Sequence, residues 1–192
     1  MGFRFQETYF DLVYAPVYDY TVACIAPYQR FMEDSAGSLL VGDGASKPVL
    51  VQQAEAMKLS NVILRPSMPK TCMPDLWSVC DIALVHLKND PVFASVIPSK
   101  IFEAFGMGKP VLIVQPDGEA ADIVRAAAAG EWIEPENPEA LAHAVQKLSR
   151  DAPTMRTYAE NSAAAAQHHS RDRLAVEMLA ALTGILAVPT ER

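Results

Sequence analysis

The sequence predicts an α/β protein built around a parallel sheet, and two observations carry that prediction. From residue 38 onward, short apolar segments alternate with longer segments of helical period, as in a chain of βα units. Residues 81–87 form a continuous apolar run with polar flanks, which is typical of a strand covered by helices on both faces. We therefore expect one domain with helices flanking a parallel sheet, followed by a C-terminal helical segment.

The first part of this pattern covers residues 38–87. A short apolar strand ends at the turn Gly42-Asp43-Gly44, where glycines accept positive φ and the aspartate caps the following element. A helix with apolar residues at helical spacing comes next, then a second strand and a loop with two prolines over residues 65–70. The predicted elements are strands 38–41, 61–64 and 81–87 and helices 47–59 and 73–80.

The second part covers residues 98–186. A short amphipathic helix ends on glycines and feeds an apolar strand, and Gly130 is predicted at the C′ position that closes the next helix. After Pro138 the chain is almost wholly helical, and the last helix is expected to pack back across the sheet. The predicted elements are strands 110–114 and 132–134 and helices 99–106, 118–129, 139–148, 155–168 and 171–186.

The N-terminal 37 residues do not follow the pattern. They are rich in aromatic residues and have no clean period, so residues 1–37 are an unassigned segment and residues 38–192 are the predicted domain. Residues 21–25 can supply one edge strand. An apolar region over residues 9–27 carries two aspartates and lacks a basic leader, which does not favour a signal peptide or a membrane span.

The composition disfavours several classes of function, among them nucleic-acid binding and metal binding. The formal net charge is −7, which argues against a general nucleic-acid or anionic-membrane surface because both need clustered Lys and Arg. Three cysteines with no CxxC spacing support neither a disulfide framework nor a zinc site, so a cytoplasmic location is the default. The four histidines show no metal-ligand spacing, and no phosphate-loop or nucleophile-elbow motif is present.

The most informative stretch is residues 98–112, PSKIFEAFGMGKPVL. It places Glu103 on a short helix whose first turn offers backbone N–H groups and a positive dipole end to an anion above the sheet. This stretch resembles the nucleotide-sugar-binding segment of retaining, family-four-like glycosyltransferases of the GT-B fold, in which a glutamate followed by Ala and then Gly-x-Pro-Val holds the donor ribose. The resemblance covers about residues 38–185 and implies a Rossmann-like domain that is half of a GT-B fold.

The resemblance implies donor contacts around this helix. Glu103 would accept hydrogen bonds from both ribose hydroxyls, the alternative being a solvated carboxylate or a cap on a neighbouring loop. Ser99 and Lys100 would lie at the diphosphate, with a plain surface lysine as the alternative for Lys100. Ser95 stands eight residues ahead of Glu103, where many members carry a first glutamate that contacts the transferred sugar, and serine offers only a neutral hydrogen bond.

Further contacts are implied on two other loops. Gly118 would let the backbone approach the donor, and Glu119 would either contact the sugar or simply favour the helix N-terminus. Ser67 and Met68 lie where the family's loop meets the nucleobase through backbone groups. His86, at a strand end, is more often structural than a ligand contact, and the turn at Asp43 is mostly architecture. Because ligands bind beyond the carboxyl ends of parallel strands, the loops 65–70, 86–100 and 115–119 are expected to converge on one crevice.

The predicted function is binding of a nucleotide diphosphate sugar, most simply a UDP-sugar, for retaining hexosyl transfer in bacterial surface-polysaccharide assembly, with no metal or other cofactor. In the family an N-terminal domain binds the acceptor, so we expect this chain to be inactive without a separate acceptor domain, through which it would lie peripheral to the inner membrane. Two alternatives remain open. One is a fragment of a GT-B-fold epimerase of UDP-amino sugars, and the other is a non-catalytic module that docks on a separate acceptor domain.

Overall fold

A computed structural model describes residues 10–14, 36–43 and 47–186, and its centre is a six-stranded, wholly parallel sheet. The strands lie in the order β3-β2-β1-β4-β5-β6. The order therefore reverses between β1 and β4, and a doubly wound sheet binds its ligands at such a point, beyond the carboxyl ends of the strands. This confirms the predicted α/β fold with a parallel sheet flanked by helices.

The elements follow the predicted alternation with shifts of a few residues at most ends. The strands are β1 (Phe10–Tyr14), β2 (Ala36–Val41), β3 (Val62–Arg65), β4 (Ile82–His86), β5 (Val111–Val114) and β6 (Gly130–Ile133). The helices are α1 (Lys47–Ala56), α2 (Met73–Ser78), α3 (Lys100–Gly106), α4 (Glu119–Ala126), α5 (Pro138–Ser149), α6 (Ala152–His168) and α7 (Arg171–Leu186). Two short 3-10 turns, Lys70–Cys72 and Pro91–Ser95, precede α2 and α3.

Alternate side chains of the central strands enter two separate cores. Ile82 and Leu84 pack on one face with the apolar side of α5, whereas Ala83 and Val85 pack on the other face with α3 and α4. All five residues of β4 and all four of β5 are buried, which is why these strands show continuous apolar runs rather than alternation. Each large side chain buried in this way stabilises the fold by about 1.5–3 kcal/mol.

The sheet also draws on the segment left unassigned from sequence. β1 pairs in parallel with β2 on one side and with β4 on the other, so a strand from within residues 1–37 stands at the centre of the sheet. Its five residues, FDLVY, are too short a run to reveal a period. The edge strand expected at residues 21–25 falls outside the described residues.

The prediction that Gly130 closes the helix after Gly118 is wrong. The left-handed position is held by Ala128, with φ 46°, and the N–H of Ala129 donates to the carbonyl of Val124 at 3.2 Å, as in a Schellman cap. Gly130 is instead the first residue of β6, where an added Cβ would overlap the backbone of Val111 on β5. This glycine therefore serves close strand approach rather than helix termination.

The last helix does not pack back across the sheet as predicted. Every described side chain of α7, from residue 173 to 183, is exposed. The exposed residues include Leu174 at 49%, Val176 at 67% and Met178 at 66%. The apolar pattern of α7 resembles that of a buried helix, but sequence period alone does not say which surface covers it.

Within the described part of the chain, no helix is both long enough and apolar enough to span a membrane.

Candidate functional site

The loop that follows β4 begins at the reversal point of the sheet and carries much of the candidate site. It contains the turn Pro91–Ser95 and then opens α3. Asp90 caps the turn, because its carboxylate accepts from the N–H of Val92 at 3.1 Å. The exposed Ser95 hydroxyl donates to the carbonyl of Val92 at 3.1 Å. Its oxygen therefore keeps lone pairs that can accept a hydrogen bond from a sugar hydroxyl.

The loop after β5 contacts this turn directly. Gln115, fully buried at the end of β5, donates from Nε2 to the carbonyls of Phe93 and Val96, each at 3.3 Å. Gly118 lies so close to Ala94 that a Cβ on it would overlap the Ala94 carbonyl. Two of the three loops expected to converge are thus in contact, and Gly118 has a packing reason to be glycine whether or not a ligand approaches it.

Glu103 lies one turn into α3 and is partly accessible. Its Oε2 atom is 2.8 Å from Nζ of Lys100, and the two side chains are 39% and 31% exposed. The spacing of three residues places both side chains on one face of the helix. The structure therefore brings together the two charged residues expected to contact ribose and diphosphate.

The first turn of α3 offers fewer N–H groups than expected from sequence. The N–H of Ile101 donates to the carbonyl of Pro98, and those of Phe102 and Glu103 both donate to the carbonyl of Ser99. An anion at this end would therefore meet the N–H groups of Ser99 and Lys100. Ser99 is the exposed N-cap residue, and its hydroxyl makes no capping hydrogen bond.

Arg125 and Trp132 hold the loop that leads into α4. Arg125 pairs with Asp117 at 2.6 Å and lies 5.1 Å from the centre of the Trp132 ring. The hydrogen bond from Arg125 lowers the pKa of Asp117. The indole N–H of Trp132 donates to the carbonyl of Gln115 at 2.9 Å. Glu119 itself is exposed at the first position of α4, where a carboxylate suits the helix dipole.

The third loop is tied to a different neighbour. The carboxylate of Asp43 accepts from the backbone N–H of Ser67 at 2.7 Å and from Nζ of Lys47 at 2.6 Å. The hydrogen bond from Lys47, and to a smaller extent that from Ser67, lowers the pKa of Asp43 to about 2. Asp43 thus fastens the loop after β3 to the turn after β2, a contact that the sequence did not indicate. It also occupies the Ser67 N–H, so a nucleobase would have to use other backbone groups of this loop, beside the exposed Met68.

His86 ends β4 and is 5% exposed. Its removal from water lowers its pKa to about 4, so the ring is neutral near pH 7. A buried neutral ring supports the structural interpretation of this residue. Among the described residues, no three or more His, Cys, Asp or Glu side chains are grouped so that they would hold a metal ion.

The family of this chain follows from its sequence. The profile of the family Glycosyl transferases group 1 matches residues 26–165, which is well over half of the chain. The protein belongs to this family. No curated protein sequence matches the chain.

Solved structures of glycosyltransferases share the fold of this chain. A glycosyltransferase from Rickettsia africae superposes with a TM-score of 0.77 at 16% identity, covering 96% of this chain and 49% of that one. Sucrose-phosphate synthase from Thermosynechococcus elongatus gives 0.77 at 18%, covering 93% and 46%. Anabaena Alr3699/HepE in complex with UDP-glucose gives 0.75 at 21%, covering 93% and 49%. The chain therefore has half of a GT-B fold and spans about half the length of these structures.

Proposed function

We propose that this chain is the donor-binding half of a glycosyltransferase and that it binds a UDP-sugar above the carboxyl ends of β4 and β5. The observation that carries the proposal is Glu103, a partly exposed carboxylate on the first helix after β4. A carboxylate can accept hydrogen bonds from two vicinal hydroxyls at once, as a ribose presents them. The family assignment and the UDP-glucose complex of Anabaena Alr3699/HepE support the choice of ligand.

The neighbouring groups suit the remaining parts of such a ligand. Lys100 lies one turn before Glu103 and supplies a positive charge near the N–H groups that open α3, so the diphosphate would lie there. Ser95 and Glu119 stand on the two loops in contact, and they are the polar side chains that we assign to the sugar. Loop 65–70, with Ser67 and Met68, is assigned to the base.

The reaction we propose is retaining transfer of a hexosyl group in the assembly of a bacterial surface polysaccharide, without a metal ion. Charge developing on the leaving diphosphate would be stabilised by Lys100 and by backbone N–H groups at the α3 N-terminus. We assign the chain to the cytoplasmic side of the inner membrane, where an acceptor domain would hold it at the surface.

The test is titration calorimetry of the full chain with UDP and UDP-glucose. Glu103→Ala is expected to weaken UDP binding about 10- to 100-fold, because it removes charge-assisted hydrogen bonds to the ribose. The matched control is Glu160→Ala. Glu160 is an exposed carboxylate on α6. It is near the amino end of β5, opposite the candidate site, because Ser162, two residues later, donates to the carbonyl of Lys109 just before that strand. Equal UDP affinity for wild type and Glu103→Ala would refute the assignment.

The chain spans about half the length of the structures that it matches. A second candidate function is a non-catalytic module that binds the nucleotide, docks on a separate acceptor domain and takes no part in transfer. For the donor-binding half of a transferase, we expect no sugar transfer by the purified chain alone and transfer after an acceptor domain is added. Transfer by the chain alone to a lipid-linked acceptor would contradict this expectation, and nucleotide binding without transfer in either state would favour the non-catalytic module.

A further inference from the structure

The side chain of Gln115 extends from the end of β5 beneath the turn Pro91–Ser95 and donates hydrogen bonds to its backbone. It is fully buried, immediately after the last residue of β5. Its Nε2 atom lies 3.3 Å from both the Phe93 and the Val96 carbonyl oxygens. These two carbonyls are at the middle and just past the end of the turn, on either side of Ser95.

The orientation of this carboxamide is dictated by its neighbours. Two carbonyl oxygens face it, and only the NH₂ end of an amide can donate to both. The opposite atom, Oε1, is buried with no hydrogen-bond partner among the described residues. An unpaired buried amide oxygen is unfavourable, and the two hydrogen bonds donated by the NH₂ group oppose that cost.

The backbone of Gln115 is itself fixed. Its carbonyl accepts from the indole N–H of Trp132 at 2.9 Å, and its N-terminal neighbour Val114 lies in the ladder with β4 and β6. Three residues later, Gly118 packs against the backbone of Ala94. The turn is therefore held at Phe93, Ala94 and Val96 by one rigid strand end.

We propose that Gln115 is a positioning residue for the donor-sugar subsite: its carboxamide fixes the 91–96 turn and so sets where Ser95 stands relative to α3 and Glu103. This inference rests on the proposed function, because it assigns Ser95 to the sugar. Gln115 touches no ligand in this assignment and acts only through the turn.

The test compares Gln115→Met with wild type in two measurements. Methionine keeps the length of the side chain and removes both donors. In amide hydrogen exchange without ligand, we expect about tenfold faster exchange at Phe93 and Val96, the ratio for loss of hydrogen bonds of ordinary strength. The N–H groups of both residues donate within the turn, to Asp90 and Phe93 respectively. In calorimetry we expect UDP-glucose to bind about 3- to 5-fold more weakly while UDP affinity changes less than twofold.

Gln53→Met is the matched control. Gln53 lies on α1 and also has a buried Oε1 atom without a partner, so the same chemical change is made outside the candidate site. It should leave the exchange of residues 93–96 and the ratio of the two affinities unchanged.

The outcomes separate the two proposals. If wild type binds neither UDP nor UDP-glucose, the proposed function fails and this inference fails with it. If wild type binds both but Gln115→Met weakens them equally, or leaves the exchange of the turn unchanged, the proposed function stands and the positioning role is overturned.

A second variant protects the test against misfolding. Should Gln115→Met fail to give a folded circular dichroism spectrum, Gln115→Ala replaces it, since alanine is smaller, uncharged and has no side-chain donor for the two carbonyls. If neither variant folds, Gln115 is required for the fold itself and the inference is overturned.

Discussion

The backbone carbonyl of Ala94 occupies the space that a side chain on Gly118 would need. This contact joins the loop after β4 to the loop after β5, the two loops that carry Ser95 and Glu119. Because the obstacle is backbone rather than the end of a flexible side chain, the loops must move apart if residue 118 gains a Cβ.

Gly118→Ala is therefore expected to lower the free energy of unfolding by about 1–3 kcal/mol, as for other overpacked sites, and to weaken UDP-glucose binding. Gly106→Ala is the control. Gly106 ends α3 with no atom within 4 Å of an added Cβ, so alanine there should stabilise the protein by up to about 1 kcal/mol. Urea denaturation measures both, and equal effects of the two changes would contradict the assigned contact.

Ser95 provides a test of where the sugar lies. A glutamate at this exposed position adds an ionic acceptor that only a sugar-bearing ligand can use. Ser95→Glu should thus tighten UDP-glucose relative to UDP, whereas in wild type we expect the two affinities to lie within about 1 kcal/mol of each other. Titration calorimetry of wild type and Ser95→Glu with UDP and with UDP-glucose measures these affinities. A variant that shifts both affinities equally would show that residue 95 does not face the sugar.

Ala128 holds a left-handed conformation that disfavours any side chain. Its φ is 46°, a region that glycine enters at little cost. Ala128→Gly should raise the free energy of unfolding by about 0.5–1 kcal/mol. Ala127, the preceding residue, has φ −72°, and glycine there should lower stability by up to about 1 kcal/mol. Opposite signs for two adjacent Ala→Gly changes would confirm this helix end, and stabilisation at 127 but not at 128 would refute it.

The buried His86 is expected to lower the free energy of unfolding on mild acidification. Burial lowers the pKa of His86 to about 4 in the folded chain, against 6.5 for a histidine side chain in water. As pH falls below 6.5, His86 binds a proton in the unfolded chain but not in the folded one. The free energy of unfolding therefore decreases with falling pH until about pH 4, where the folded chain also binds the proton. The loss between pH 7 and pH 5 should be about 2 kcal/mol.

The measurement is urea denaturation at pH 7 and pH 5 for wild type and for His86→Gln, which does not titrate. The difference in free energy between the two pH values should be smaller in the variant by about 2 kcal/mol. The same pH dependence in both proteins would show that His86 titrates normally in the folded state.

Some features were predictable because they are local in sequence. The continuous apolar runs at β4 and β5 indicated strands buried on both faces, and the structure buries every residue of both. The spacing of Lys100 and Glu103 placed them one turn apart on a helix, and they form an ion pair. The residues 98–112 indicated the glycosyltransferase family that the chain belongs to.

Other features depend on residues far apart in sequence. Gln115 and Gly118 have no local property that shows that Phe93, Ala94 and Val96 will lie above them. Asp43 and Ser67 are 24 residues apart and share a hydrogen bond only because β2 and β3 end at the same edge of the sheet. The apolar residues of α7 predicted a buried helix, yet they are exposed.

The amino-acid sequence by itself thus determined the alternation of elements, the parallel sheet and the helix that carries Glu103, because hydrophobic period and helix spacing act over a few residues. Only the tertiary structure decided which loops meet above the sheet, which strand stands at its centre and why Gly118 and Gly130 lack side chains. Those outcomes depend on contacts made after the strands have paired, where close packing leaves room for one atom and not for another.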